Sequence, residues 1–284
     1  MGRAECGIKY GTWAFEISVG IITFGIDLLV DTMKNRLLRW SLRLGVTCVF
    51  LLGSLVAIVL NPGVLYARRT LVAGYAVYHS QPLDLALTQR LTEATHLLKG
   101  SPLFDAKVRL NVCLNDGSKY PNLIRTLLGP AFGWGFDKNV VLGGEADYAR
   151  NRLSLEGSAD GWNLSQLLAH EAMHCHQVHH FGFWQSNPVK GYPAWKWEGY
   201  PEYVARRAPD QQDFNQNLRR LTATPAETWW MVFADGSGTI KPYYRYWMLM
   251  QYCRDVKKMT YEQVLADTTA ESRLEQEMYL SMPE

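Results

Sequence analysis

Little in this sequence leans on charge. Lys and Arg number 29 against 27 Asp and Glu, a net charge of +2. That balance leaves no basic footprint for a phosphate backbone, so no nucleic-acid partner is expected. Cysteine is scarce as well: five in 284 residues, with no framework spacing. Cys6 lies near the N-terminus and Cys48 in an apolar run. Cys113, Cys175 and Cys253 remain, an odd number, of which Cys175 and Cys253 are free to pair if they lie outside a membrane. There is no internal repeat and no low-complexity tract, which argues against a repeat array. Hydrophobic residues make up 48% of the chain, enough to bury one sizeable core.

Long apolar runs are also few. Residues 44–60, LGVTCVFLLGSLVAIVL, are uncharged and at the lower length limit for a membrane span. Lys34, Arg36, Arg39 and Arg43 precede the run, and Arg68 and Arg69 come after it. The basic bias places the N-terminal side in the cytoplasm and the rest outside. No small-residue cleavage site is found after the run, so an uncleaved signal anchor is expected rather than a removed signal peptide. This divides the chain into a cytoplasmic segment 1–43, a transmembrane helix 44–60 and a folded domain 61–284. The expected location is the cytoplasmic membrane, single-pass, with the domain on the extracytoplasmic side. A second apolar stretch, 17–30, is short and interrupted by Asp27. It reads either as an interfacial segment or as sequence preceding a true start at Met33. If both runs span, the topology inverts.

Beyond the break at Asn61-Pro62-Gly63 the pattern alternates between elements. A helix is expected over 83–99, a strand over 107–114, a short helix near 121–128 and strands at 139–144 and 152–157. In the last third, Pro242 starts a helix. Its expected buried stripe is Tyr246, Leu249, Met250, Cys253 and Val256, with Tyr243 one turn earlier on that stripe.

Chemistry is concentrated in LLAHEAMHCHQVHHFG, 167–182, which holds five of the seven histidines. His170 and His174 are four apart, so both rings leave one face of a helix, one turn apart. Two neutral imidazoles so placed bind a single cation, most often zinc. Glu171 points to the side of the pair, where its carboxylate reaches a metal-bound water as a general base. The pattern arises by chance in about one such chain in a hundred, so it needs a helix and a third ligand behind it. Asn163 as N-cap and Gly182 as C-cap frame a helix of about sixteen to eighteen residues. His176, His179 and His180 leave from other directions and are expected at solvent or at the helix end. Cys175 is about 100° from His174 and is expected as a buried thiol.

A second helix is expected in PAWKWEGYPEYVARR, 193–207, where Glu198 and Glu202 stand four apart. HEAMH, an interval of twenty-four residues and then WEGYPEY resemble the gluzincin metallopeptidases, the thermolysin-like zincins, over roughly 105–270. The resemblance implies an α+β zincin-like domain: a small mixed sheet, an active-site helix and a mostly helical C-terminal part. It implies zinc held by His170, His174 and Glu198, with Glu171 as the base and Glu202 as the acid that orients a ligating imidazole. It further implies a Tyr or His donor for the oxyanion, for which Tyr243 is the candidate, and an edge strand that pairs with peptide, for which 139–144 is the candidate. Pro201 departs from the family pattern. It suits only a first helical turn, which places the helix start near Glu198.

The sequence therefore points to a membrane-anchored, zinc-dependent peptidase acting on peptide or protein. Two other readings stand beside it: a metal site hydrolysing a non-peptide bond, and a zinc-binding structural or interaction protein without turnover. An intramembrane protease is disfavoured, because HEAMH lies among polar residues outside any span.

Overall fold

A computed structural model describes residues 39–282. Residues 17–30 and Met33 lie outside the described residues, so neither reading of them is addressed. The chain divides into two compact units, 1–58 and 59–284. Helix α1, Arg39–Leu60, has a mean hydropathy of 2.3 and is long and apolar enough to cross a membrane. Within the apolar run, the hydroxyls of Thr47 and Ser54 donate to the carbonyls of Arg43 and Phe50, at 2.9 and 2.8 Å. That leaves no side-chain donor of theirs to be solvated.

Proline ends α1. Pro62 cannot donate, and the chain turns through a 3-10 segment, Pro62–Val64, into β1, Arg68–Val72. Ala73 and Gly74 both have positive φ, 49° and 88°. This is the turn a tight hairpin to β2, Tyr75–His79, requires. Helix α2, Leu87–Leu98, then leads to β3, Asn111–Cys113, and α3, Tyr120–Leu128, to the hairpin of β4, Gly133–Phe136, and β5, Asn139–Leu142. The sheet order is β1-β2-β3-β5-β4, with β2, β3 and β5 parallel and both outer strands antiparallel.

Strand β5 is interior, not an edge. It lies between β3 and β4, and all four residues are buried. Val140 and Leu142 enter the main core, and Val141 enters a second cluster with Tyr66, Cys113, Tyr120, Ile124 and Trp134. A strand covered on both faces reads as a continuous apolar run without alternation, as this one does. The edge on this side of the sheet is β4, Gly-Trp-Gly-Phe, whose glycines hide it from any β-propensity. Gly135 is there for close approach: a Cβ at that position would lie 2.0 Å from the carbonyl oxygen of Glu171.

A three-stranded antiparallel sheet comes next, β6 Glu145–Asp147, β7 Arg152–Ser154 and β8 Gly161–Asn163, and leads directly into α4, Leu164–Phe181. The remainder is mostly helical: α5 Ala194–Trp197, α6 Gly199–Ala205, α7 Phe214–Ala223, a hairpin of β9 Trp230–Val232 and β10 Gly238–Ile240, then α8 Lys241–Gln251, α9 Tyr261–Ala266 and α10 Glu271–Leu280. The class is α+β. Helix α8 runs on into a π-helical turn, Tyr252–Val256. The wider turn rotates its own last residues away from the α-helical register, so Val256 is exposed and the stripe expected through it fails. Of the expected stripe, Leu249, Met250 and Cys253 are buried and Tyr246 is half-buried; Tyr244, Trp247, Met248, Gln251 and Tyr252 are buried beside them. Cys175 and Cys253 are both buried and both free, so the bridge left open between them does not form.

Candidate metal centre

Helix α4 carries the site and is locally well specified. The Asn163 side chain accepts from the Gln166 amide at 3.1 Å, capping the N-terminus. Gly182, at φ 79°, closes the other end with its amide on Val178. Residues 164–177 are buried on every side, so this is a core helix rather than an amphipathic one. His176 is therefore not at solvent. The far face of α4 is covered, and His176 lies edge-on to Phe104 at 5.2 Å. Burial lowers its pKa to about 4 and keeps the imidazole neutral. His179 and His180 are half exposed as expected, near Asp105 at 3.7 Å and Glu262 at 3.9 Å.

His170 and His174 bring their Nε2 atoms to 3.2 Å of each other. Glu198 Oε2 completes the triangle, 3.4 Å from His170 Nε2 and 3.1 Å from His174 Nε2. A tetrahedral cation with bonds of about 2.0–2.1 Å holds its donors about 3.3 Å apart. The three separations match that spacing, and the triad forms one potential metal-binding group.

Helix α6 starts where Pro201 led it to be expected, and its N-cap is Glu198. Its amide bonds Ala194 O at 2.8 Å and its carbonyl accepts from Glu202 N at 3.2 Å, so the helical path runs on from α5 into α6. Pro201 costs that path only one bond, the one that Trp197 O would have accepted. Gln177 supplies the missing donor: its Nε2 reaches Trp197 O at 3.1 Å and Tyr261 Oη at 2.6 Å. Tyr261 in turn donates to Lys196 O. With both amide hydrogens used, Gln177 presents Oε1 to His174 Nδ1 at 2.9 Å. His174 must then carry its proton on Nδ1, which leaves the Nε2 lone pair facing the triad.

Glu202 performs the matching task for the first histidine. Its Oε1 lies 3.2 Å from His170 Nδ1, a charge contact rather than a well-aligned hydrogen bond. Its Oε2 accepts from Arg206 Nε at 2.7 Å. Arg206 is buried, donates to Gln166 Oε1 at 2.7 Å and stacks over Trp162 at 4.9 Å. Burial opposes the charge on Glu202, but Arg206 and then His170 keep its carboxyl below the usual range. Burial likewise opposes ionisation of Glu198, and His174 and His170 outweigh it. Glu171, Glu198 and Glu202 thus face one permanent buried cation, Arg206, and a pair of imidazoles that must be neutral to bind a metal. A divalent metal supplies the two positive charges that would balance them.

Glu171 is not part of the triad. It is buried, and burial raises its pKa above the usual carboxylate value, against the pull of His170 and His174. A Cβ at Gly133 would lie 2.9 Å from its Cγ, so the glycine in β4 leaves the space this carboxylate occupies. Tyr243, at the start of α8, lies with its ring 5.9 Å from that of His170 and lines the same cavity as Glu198. Burial and the neighbouring carboxylates raise its pKa well above the ordinary value, so it remains a donor. Tyr244 is directed elsewhere and donates to Asn217 O.

Two cavities meet at these groups. One, of about 340 Å³, is walled by Phe132, Leu155, Trp162, Leu167, Trp229 and Ile240. The other, of about 540 Å³, contains all three members of the triad. His170, Glu171, Tyr243 and Gly133 line both. A larger cavity of about 880 Å³, beside α7 and α10, contains none of the triad. The six residues singled out in the sequence all come together. Gln177, Arg206, Gly133 and Gly135 were not singled out, although Gln177 lies three residues after His174 and Arg206 four after Glu202, both helical-neighbour spacings. The chain matches no protein-family model, no curated protein and no solved structure.

Proposed function

We propose that this protein is a membrane-anchored zinc peptidase of the gluzincin kind, with a zincin-like domain outside the cytoplasmic membrane. The observation that carries the reading is Glu171: a buried carboxylate on the cleft wall beside the triad, yet not a member of it. A structural zinc site closes its coordination with four protein ligands, whereas a catalytic one keeps a position for water. His170, His174 and Glu198 are the residues to hold zinc, which supplies an acidified water and a polarised carbonyl. Glu202 and Gln177 fix the two imidazole orientations. Glu171 accepts the proton as the water oxygen adds to the peptide carbonyl carbon. It returns that proton to the amide nitrogen as the C–N bond breaks. Tyr243 donates to the carbonyl oxygen as it gains charge.

The competing reading is a zinc-binding structural or interaction protein that keeps the motif without turnover. Glu171→Gln separates the two. It retains size and hydrogen bonding but cannot take the proton. Metal content should stay near wild type while hydrolysis of a mixed peptide library falls about 10²–10⁴-fold. Wild-type protein that holds zinc, cleaves nothing and matches Glu171→Gln in every assay would establish the non-enzymatic reading instead.

A further inference from the structure

We infer that the substrate is a membrane-tethered polypeptide, cut within a few residues of the bilayer surface. The inference rests on the peptidase reading and adds where the substrate comes from. Its basis is the far end of the catalytic cleft. The cavity that holds His170, Glu171, His174 and Glu198 is also lined by Val59, Leu127 and Leu128. Val59 belongs to the last turn of α1, the apolar helix Arg39–Leu60. At 1.5 Å per residue, the seventeen uncharged residues 44–60 give about 26 Å, near the hydrocarbon thickness of about 30 Å. If α1 spans, Val59 falls at the boundary between hydrocarbon and headgroups.

Val59 is also held to the folded unit. Its carbonyl accepts from Tyr120 Oη in α3, and its side chain packs against the cluster of Tyr66, Tyr120 and Ile124. The C-terminal turn of α3 then presents Leu127 and Leu128, 45% and 59% exposed, along the same cleft. Exposed leucines beside the end of a membrane helix are apolar surface with a lipid neighbour available to cover it. Among the described residues, the only carboxylates or basic side chains lining the cleft are Glu171 and Glu198, apart from the two histidines. Away from the triad and Glu171, a water-borne charged peptide finds no ionic partner along this wall. A chain leaving the bilayer, apolar at its root and extended beyond it, meets Val59 and Leu128 first and the triad next.

The test uses the full chain in phosphatidylcholine–phosphatidylglycerol vesicles. One peptide sequence, chosen from library cleavage, is offered in three forms: free, fused about five residues from a transmembrane helix, and fused about thirty residues from it. The short-tether form should be cleaved at least about tenfold faster than the free form at equal bulk concentration, since tethering raises effective concentration by far more. A site held tens of ångströms from the bilayer gives the opposite order, because a five-residue tether spans at most about 18 Å. Cleavage of the free and long forms but not the short form would overturn the membrane-proximal substrate and leave the peptidase standing. No cleavage of any form, with Glu171→Gln indistinguishable from wild type, would overturn both.

A second measurement needs no activity. A spin label on Leu128→Cys, in a Cys6→Ser, Cys48→Ser background, should collide with oxygen dissolved in lipid and be shielded from a water-soluble nickel chelate. A label on Val49→Cys serves as the bilayer reference and one on Leu280→Cys as the comparison on α10. A Leu128 label fully open to the chelate would overturn the placement of the cleft.

Discussion

Gln177 donates to the one carbonyl that Pro201 leaves without a helical partner, that of Trp197. The same side chain holds His174 Nδ1 at 2.9 Å. The proline in the first turn of α6, the helix capped by the third ligand, is thereby coupled to the orientation of the second. Gln177→Leu removes both contacts and orphans a buried carbonyl. Metal affinity should fall about 10–100-fold, and the apo protein should lose about 1–3 kcal/mol. Competition with a chromogenic chelator and urea unfolding measure the two. Unchanged affinity would show that Gln177 serves the fold alone.

The ligand assignment makes a separate prediction. One zinc per chain should be bound by the wild type and lost in His170→Ala, His174→Ala and Glu198→Ala. Glu202→Gln keeps an acceptor for His170 Nδ1 and should weaken binding by only about 10–100-fold. Elemental analysis after gel filtration reads the stoichiometry. Retention of zinc in Glu198→Ala with its loss in Glu202→Gln would exchange their roles.

Two glycines of β4 should fail in different ways. At Gly135 an added methyl meets backbone, 2.0 Å from Glu171 O. The strand must move off α4, and Gly135→Ala should cost about 1–3 kcal/mol of stability. At Gly133 the methyl meets a side chain, 2.9 Å from Glu171 Cγ, which can turn aside. Gly133→Ala should fold and bind metal, yet lose about 10²-fold in hydrolysis because the base is displaced. Thermal unfolding, metal content and peptide cleavage, measured on both variants, separate these outcomes.

Topology is tested without purification. The cations before residue 44 predict that the domain lies outside the cytoplasmic membrane. A reporter that matures only in an oxidising compartment, fused after Glu284, should be active. Activity of a cytoplasm-only reporter at the same position would reverse the orientation.

How much of the fold and the site is legible in the sequence depends on range. The capped helix around HEAMH is readable because Asn163, the i,i+4 histidines and Gly182 are local signals. The break after α1 and the helix starting near Pro242 are readable for the same reason. The interior position of β5 is not, since a four-residue apolar strand does not say which neighbours it takes. Nor is β4, whose two glycines serve contact with α4 rather than strand propensity. His176 is misplaced by its position on the wheel, which does not reveal that the loop carrying Phe104 covers that side of the helix.

The sequence by itself determined that two imidazoles share one face of a helix with a carboxylate beside them, because 3.6 residues per turn makes that a property of spacing. Only the tertiary structure decided that Glu198 closes the triangle at 3.1 and 3.4 Å. It likewise decided that Gln177 and Glu202 set the rings and that Cys175 and Cys253 stay apart. Those relations join residues on separate elements, and their distances depend on how α4, α6 and α8 pack around one core. Burial supplies the force that brings them together, and it is roughly proportional to area and non-directional. Which side chains meet is then decided by close packing of the whole unit, which no local pattern encodes.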